Sequence, residues 1–204
     1  MEKDKRYAVT ITRQFGSMGR PIAKKMAEIL GVSYYDRDIV DQAAEKLQLP
    51  ASDVDENEEK AVALRTNIYS RMAYPLGRQN TTAKQDKIFE AQKNIIQFLA
   101  EKESCIIVGR CADFALEDMP NVIRIFIYAD YKCRLKHCVE DLHLSENDGK
   151  LMIREVDEAR KAYHINYAGY APGDIDHTDI LINSSLLGID KTAEYLAEAV
   201  KMKF

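Results

Sequence analysis

The chain has 204 residues, 46% of them hydrophobic and 30% charged, which fits one globular domain with an excursion and excludes wholesale disorder, a collagen-like repeat and a disulfide scaffold. Its 29 basic and 33 acidic side chains give a formal charge of −4, an argument against a nucleic-acid coat or a polybasic membrane anchor. No run of about 18 apolar residues occurs, and Met1 to Arg6 leads into the first apolar run without a signal-peptide core, so no membrane partner and a cytoplasmic location are expected.

That first run, Tyr7 to Ile11, is short and β-branched and reads as a strand buried on both faces. It enters Thr12-Arg13-Gln14-Phe15-Gly16-Ser17-Met18-Gly19-Arg20-Pro21, and a helical pattern of Ile22, Ala23, Met26, Ala27 and Leu30 begins at once. Pro21 suits the first helical position, where the N–H it lacks has no partner. A glycine-bearing turn between a buried strand and a helix start gathers backbone N–H groups and the positive end of the helix dipole, which is a place to hold phosphate. Gly16 and Gly19 let backbone come close, while Arg13, Arg20 and Lys24 bring charge. The same residues also read as a plain strand-to-helix turn capped by glycine.

Val32 to Tyr35 is a weaker strand candidate. The polar, acidic run from Gln48 to Lys60 opens a stretch without strand signal, so residues 36–103 are expected to form a helical insertion, its last helix marked by Ile88, Ile95, Ile96 and Leu99. Cys105 to Val108 and Val122 to Tyr128 are again buried strands. Gly109-Arg110 follows the first of them, at the carboxyl edge where open α/β sheets bind ligands, and an arginine there can clamp phosphate. Leu135, Cys138, Val139 and Leu142 mark a helix, Leu144 to Lys150 a polar break, and Arg154, Asp157, Arg160 and Lys161 a charged helical face. Ile180 to Ile182 and then Ile189, Ala193, Leu196, Ala197 and Val200 complete the alternation of strand and helix that builds a parallel sheet.

The cysteines Cys105, Cys111, Cys133 and Cys138 form no C-x-x-C pair, so reduced thiols are expected. Helical spacing puts Cys133 beside His137 and Glu140 beside His143, without a second cluster to close a tetrahedral metal set. His164 and His177, with Tyr163, Tyr167 and Tyr170, fall in a loop-like region where they cover a base or pack.

Several of these motifs occur together and in order: Val9 to Leu30, Tyr34-Tyr35-Asp36-Arg37-Asp38, Ile107 to Arg110, Ile125 to Ala129 with Arg134, Asp157-x-x-Arg160, and Asp179 to Ser184. In this the chain resembles the cytidylate-kinase-like branch of the P-loop nucleoside monophosphate kinases over nearly its whole length. The resemblance implies one P-loop kinase domain over residues 1–204: a five-stranded parallel sheet flanked by helices, a monophosphate-binding insertion at 36–103 and a lid at 142–165. It implies transfer of the ATP γ-phosphoryl to a nucleoside monophosphate, with Mg²⁺ accompanying ATP. Arg13, Gly16, Ser17, Met18, Gly19 and Arg20 would then hold ATP phosphates; Asp36, Arg37, Gly109, Arg110 and Asp113 the acceptor; and Arg20, Arg134, Asp157 and Arg160 would serve the transfer. Without ligand, a moving lid hinged near Asp148-Gly149 should leave Asp157 and Arg160 in solvent.

The chain departs from that pattern at the phosphate loop, which ordinarily reads G-x-x-x-x-G-K-[ST]. The lysine place falls on Gly19 or Arg20 and the hydroxyl place on Pro21 or Ile22, depending on where a one-residue gap is put. Ser17 or water is therefore the expected Mg²⁺ ligand. An arginine expected six residues after Asp36 is Gln42, and the base-reading aspartate expected after Arg110 is Cys111, with Asp113 nearby as a substitute.

Overall fold

The computed structural model describes residues 6–36 and 82–204. Arg37, Gln42 and the acidic run at 48–60 lie outside the described residues, as does most of the expected insertion.

Five strands form one sheet: β1 (Ala8–Arg13), β2 (Ser33–Tyr35), β3 (Cys105–Val108), β4 (Val122–Tyr128) and β5 (Ile180–Asn183), in the order β2-β3-β1-β4-β5. Every pairing is parallel. The central strand β1 pairs with β3 from Ala8 opposite Cys105 and with β4 from Ala8 opposite Val122. The turn after β1 thus leaves the carboxyl edge in the middle of the sheet; the alternation of strand and helix leads to the same expectation, the turn Arg13 to Arg20 at the carboxyl end of a central strand. β1 runs two residues past the expected end, because Thr12 and Arg13 pair with Phe126 and Ile127.

The helices are α1 (Gly19–Leu30), α2 (Thr82–Lys102), α3 (Ala112–Ala115), α4 (Tyr131–Glu140), α5 (Glu146–Ala168) and α6 (Ser184–Lys203). Successive strand residues face opposite ways, so the β-branched runs supply two cores. On one face Val9, Ile11, Ile106, Val108 and Ile125 pack with Ile22 and Met26 of α1 and Leu196 and Val200 of α6. On the other, Ala8, Cys105 and Ile107 meet Ile95, Ile96 and Leu99 of α2. Burying each large aliphatic side chain is worth about 1.5–3 kcal/mol. A third, smaller cluster joins Phe15 of the turn to Cys138 of α4 and Met152, Ile153 and Val156 of α5.

Three expectations about the α4–α5 region are corrected. The break falls at 141–145, and Asp148 and Gly149 lie inside α5. Ser145 is the N-cap, its hydroxyl accepting from the Asp148 N–H at 3.1 Å, with Glu146 and Asp148 in the first turn where the helix dipole favours acids. Gly149 is therefore a packing residue: a Cβ there would stand 3.1 Å from both Cys138 Cβ and Leu135 Cδ1. The apolar stripe expected on α4 is also narrower, since Val139 and Leu142 are exposed. Tyr163, His164 and Tyr167 belong to α5 rather than to a loop.

Gly149→Leu should overpack the α4–α5 contact and cost about 1–3 kcal/mol. Urea denaturation monitored by circular dichroism checks it; an unchanged midpoint would mean the two helices are not in close contact.

Candidate active site at the carboxyl edge

The turn between β1 and α1 is held from inside the protein. The buried Ser17 hydroxyl lies 2.9 Å from the Gln14 carbonyl and 3.1 Å from the Ile127 carbonyl, while Ser184 Oγ donates to the Ser17 carbonyl at 2.7 Å. Gln14 Oε1 accepts from the Ala129 N–H at 3.2 Å. Gly16 has φ 76°, and a Cβ on it would meet the Arg134 carbonyl oxygen at 2.9 Å, so only glycine suits the position. The N-cap Met18, at φ 61°, makes no side-chain cap. The first N–H groups of α1, from Gly19 onward, have no acceptor within the helix, and Pro21 contributes none. This is the geometry of an anion site.

Cationic side chains surround it. Arg13 leaves the end of β1 and lies across Gly19 and Gly109; a Cβ on Gly109 would be 2.5 Å from Arg13 Nη1. Enclosure lowers the Arg13 guanidinium well below its ordinary value, and the like charges of Arg160 and Arg20 push it further down. Since arginine keeps its proton in proteins, that direction measures an unfavourable charge that an anion would relieve. Arg160 Nη1 donates to the Arg13 carbonyl at 3.1 Å, with its guanidinium 6.0 Å from the Phe15 ring centroid. Arg20 Nε lies 3.6 Å from Asp36 Oδ2. Burial, with the charge of Asp36, raises the Tyr34 phenol to about 12, so it stays a neutral donor. Together these residues line one cavity of about 760 Å³. Among the described residues its permanent cations are Arg13, Arg20, Lys24, Arg110 and Arg160, and its carboxylates are Asp36 and Asp141.

Arg134 and Asp157 stand behind this wall. Asp157 Oδ1 accepts from the Phe15 N–H at 2.7 Å, its other oxygen pairs with Arg134 Nη2, and Arg134 Nε donates to the Phe15 carbonyl at 2.7 Å. Neither lines the cavity; they clasp the turn between α4 and α5. The expectation that Asp157 and Arg160 stand in solvent without ligand is therefore corrected. The apolar contact of Phe15 with Met152, Ile153 and Val156 brings α5 onto the turn, and the ion pair of buried Arg134 with half-buried Asp157 holds it there.

At the exit of β3, Gly109, Arg110 and Cys111 have φ of 82°, 59° and 50°, three successive left-handed residues. Such backbone is costly outside glycine and marks a turn fixed by its surroundings. It brings Arg110 to the cavity wall. Cys111 is buried, which pushes its thiol far up, so it offers no thiolate. Asp113, expected as an acceptor contact, is absent from the cavity lining: it is buried and receives His164 Nε2 at 2.8 Å and the Tyr170 hydroxyl at 3.3 Å. Of the residues read as covering a base or packing, Tyr163 and His164 line the cavity; sequence reasoning missed other wall residues, among them His137, Leu142 and Pro172. Leu142 falls in sequence on the apolar stripe of a helix and so reads as core.

The Mg²⁺ expected with ATP does not find the hydroxyl ligand assigned to it. Ser17 is committed to main-chain carbonyls, Pro21 has no ligand atom, and Ile22 is in the core. Of the two cavity carboxylates, Asp36 faces Arg20.

A parallel sheet with an anion turn at the carboxyl end of its central strand and arginines converging from other segments defines the fold of the P-loop kinases. The chain belongs to the cytidylate kinase-like family, whose model matches residues 8–186. Among solved structures it is similar to an uncharacterized protein from Eubacterium ventriosum ATCC 27560, at 27% identity and TM-score 0.73, over 96% of this chain and 99% of that one. A shikimate kinase from Acinetobacter baumannii in complex with shikimate (10% identity, TM-score 0.54, 98% and 96% covered) and a gluconokinase from Sinorhizobium meliloti 1021 (13%, TM-score 0.51, 98% and 99% covered) share the fold. None of the curated proteins matches the chain significantly.

Asp157→Ala should leave the Arg134 charge buried and unpaired and lower stability by about 3 kcal/mol. Arg154→Ala, on the exposed face of the same helix, should change it by no more than about 0.5 kcal/mol. Equal effects in thermal denaturation would show that the clasp contributes nothing beyond an ordinary surface pair.

Proposed function

We infer that the protein transfers the γ-phosphoryl of ATP to a nucleoside monophosphate. The observation that carries this reading is the convergence of Arg13, Arg20, Arg110 and Arg160 on one cavity at a helix start whose N–H groups suit an anion. Phosphoryl transfer asks the protein mainly for placement and for positive charge around the equatorial oxygens, which is what this wall offers. Arg20 at the head of α1 takes the part of the missing phosphate-loop lysine, and Arg160, braced on the Arg13 carbonyl, faces the transferred group. Arg110 and Arg37 select the acceptor phosphate. Arg134 and Asp157 act through the turn rather than on substrate. Membership in the cytidylate kinase-like family supports a monophosphate acceptor; with Asp113 turned away from the cavity, CMP and dCMP would have to be read by other groups.

The engagement of the buried Ser17 hydroxyl with main-chain carbonyls favours a second reading, a nucleotide-binding regulatory module that keeps the fold with little transfer. A coupled ADP-release assay with ATP, Mg²⁺ and each monophosphate, deoxymonophosphate and a panel of other small hydroxyl acceptors, run beside ATP calorimetry, decides between them. Turnover with at least one acceptor is expected. ATP binding without turnover on any acceptor would overturn the kinase reading in favour of the second, and turnover only with a different small acceptor would redirect the specificity.

Arg20→Ala should weaken ATP binding at least about tenfold, the loss of one charge-assisted phosphate contact, while stability moves by no more than about 0.5 kcal/mol. Arg110→Ala should raise KM for the monophosphate more than that for ATP. Calorimetric titration and steady-state kinetics check the pair; unchanged ATP affinity in the first variant would remove Arg20 from the site.

A further inference from the structure

Outside the phosphate turn, one buried polar cluster has a geometry that the transfer reading does not use. His164, on the cavity side of α5, is 3% exposed. Its Nδ1 faces the Tyr170 carbonyl at 2.9 Å, so that nitrogen carries a proton. Its Nε2 faces Asp113 Oδ2 at 2.8 Å, and a second proton must lie between those two atoms. The Tyr170 hydroxyl donates to the same oxygen, and Asp113 Oδ1 is buried with no hydrogen-bond partner among the described residues. The carboxylate therefore depends on His164 for its strongest donor.

The pair joins two of the segments that bring arginine to the cavity. Asp113 lies three residues after Arg110, on the short helix that follows the left-handed Gly109–Cys111 turn. His164 lies one helical turn after Arg160 on α5. We propose that His164 and Asp113 form a positioning pair whose shared proton sets the spacing of Arg110 and Arg160 across the cavity. This goes beyond the transfer reading, because it concerns the walls whether or not phosphate is moved.

Loss of that proton turns a lone pair of His164 toward the Asp113 carboxylate, and attraction becomes repulsion. The groups facing the pair are Asp113 and Cys111 at the exit of β3, Arg124 of β4, whose Nε donates to the Asp113 carbonyl at 3.4 Å, and Tyr170, with His177 stacked on its other side at 3.8 Å and paired to Asp174. Burial lowers the His164 value, but the hydrogen bond and charge of Asp113 and the Tyr170 carbonyl outweigh it and raise it above 6.5. A histidine raised on folding contributes fully below about 6.5 and loses that contribution as pH rises through the folded value.

The test follows the ring signals of all four histidines and the Nε–H signals of Arg110 and Arg160 by NMR from about pH 5.5 to about pH 9, alongside ATP calorimetry. His164 should titrate above 6.5, with the two arginine signals following its midpoint and not that of His137, His143 or His177. ATP affinity should fall about tenfold across that midpoint. In His164→Gln, which keeps a donor toward Asp113 without titrating, the arginine signals and the affinity should lose that step. Arginine signals that ignore the His164 midpoint, a His164 midpoint at or below 6.5, or an equal pH response in His164→Gln would overturn the positioning pair. Tracking arginines in a protein that binds no ATP at any pH would sustain the pair and sink the transfer reading.

Discussion

Four guanidinium groups line one cavity, Arg13 among them enclosed beside the like charges of Arg160 and Arg20, and the arrangement depends on the phosphate turn that Asp157 and Arg134 clasp at Phe15. Asp157 takes the Phe15 N–H and one Arg134 nitrogen, and Arg134 returns a hydrogen bond to the Phe15 carbonyl. Both polar groups of one turn residue are thereby satisfied by side chains from two helices. Phe15 also joins the small apolar cluster of Cys138, Met152, Ile153 and Val156, which packs both helices against the turn.

The glycines at this edge serve the same arrangement. Gly16 lets the turn pass against the α4 backbone, and Gly19 and Gly109 leave the channel through which Arg13 runs. The guanidinium of Arg13 is thereby enclosed beside two like charges, which is unfavourable by itself and favourable once an anion arrives. Charge held out of water in a fixed geometry costs no reorganisation when phosphate binds. The strained exit of β3 brings Arg110 to the same space.

The sheet was largely legible in the sequence. Strands buried on both faces carry continuous β-branched runs, so Cys105–Val108 and Val122–Tyr128 could be bounded to the residue. The α4–α5 junction was less so: Asp148-Gly149 looks like a turn in isolation, but a Ser145 cap three residues upstream and a close neighbour that favours glycine put it inside a helix. Arg13, Arg20, Arg110 and Arg160 were legible as a site because each follows a strand end or matches a family motif. Their shared cavity was not, since they are separated by up to 147 residues.

By itself the sequence determined the strand and helix alternation, the position of the phosphate turn on a central strand, and membership in a kinase-like family. These depend on local periodicity and on motifs in order, both of which can be read along a chain. Only the tertiary structure decided which charged residues face the cavity and which face each other. Asp113 and Asp157 look like site residues in one dimension, yet one is taken by His164 and the other by Phe15 and Arg134. Ser17 likewise turns from a metal ligand into a prop for its own loop. A carboxylate or hydroxyl is assigned by the nearest donor or acceptor in space, and at this edge of the sheet those partners come from elements far apart along the chain.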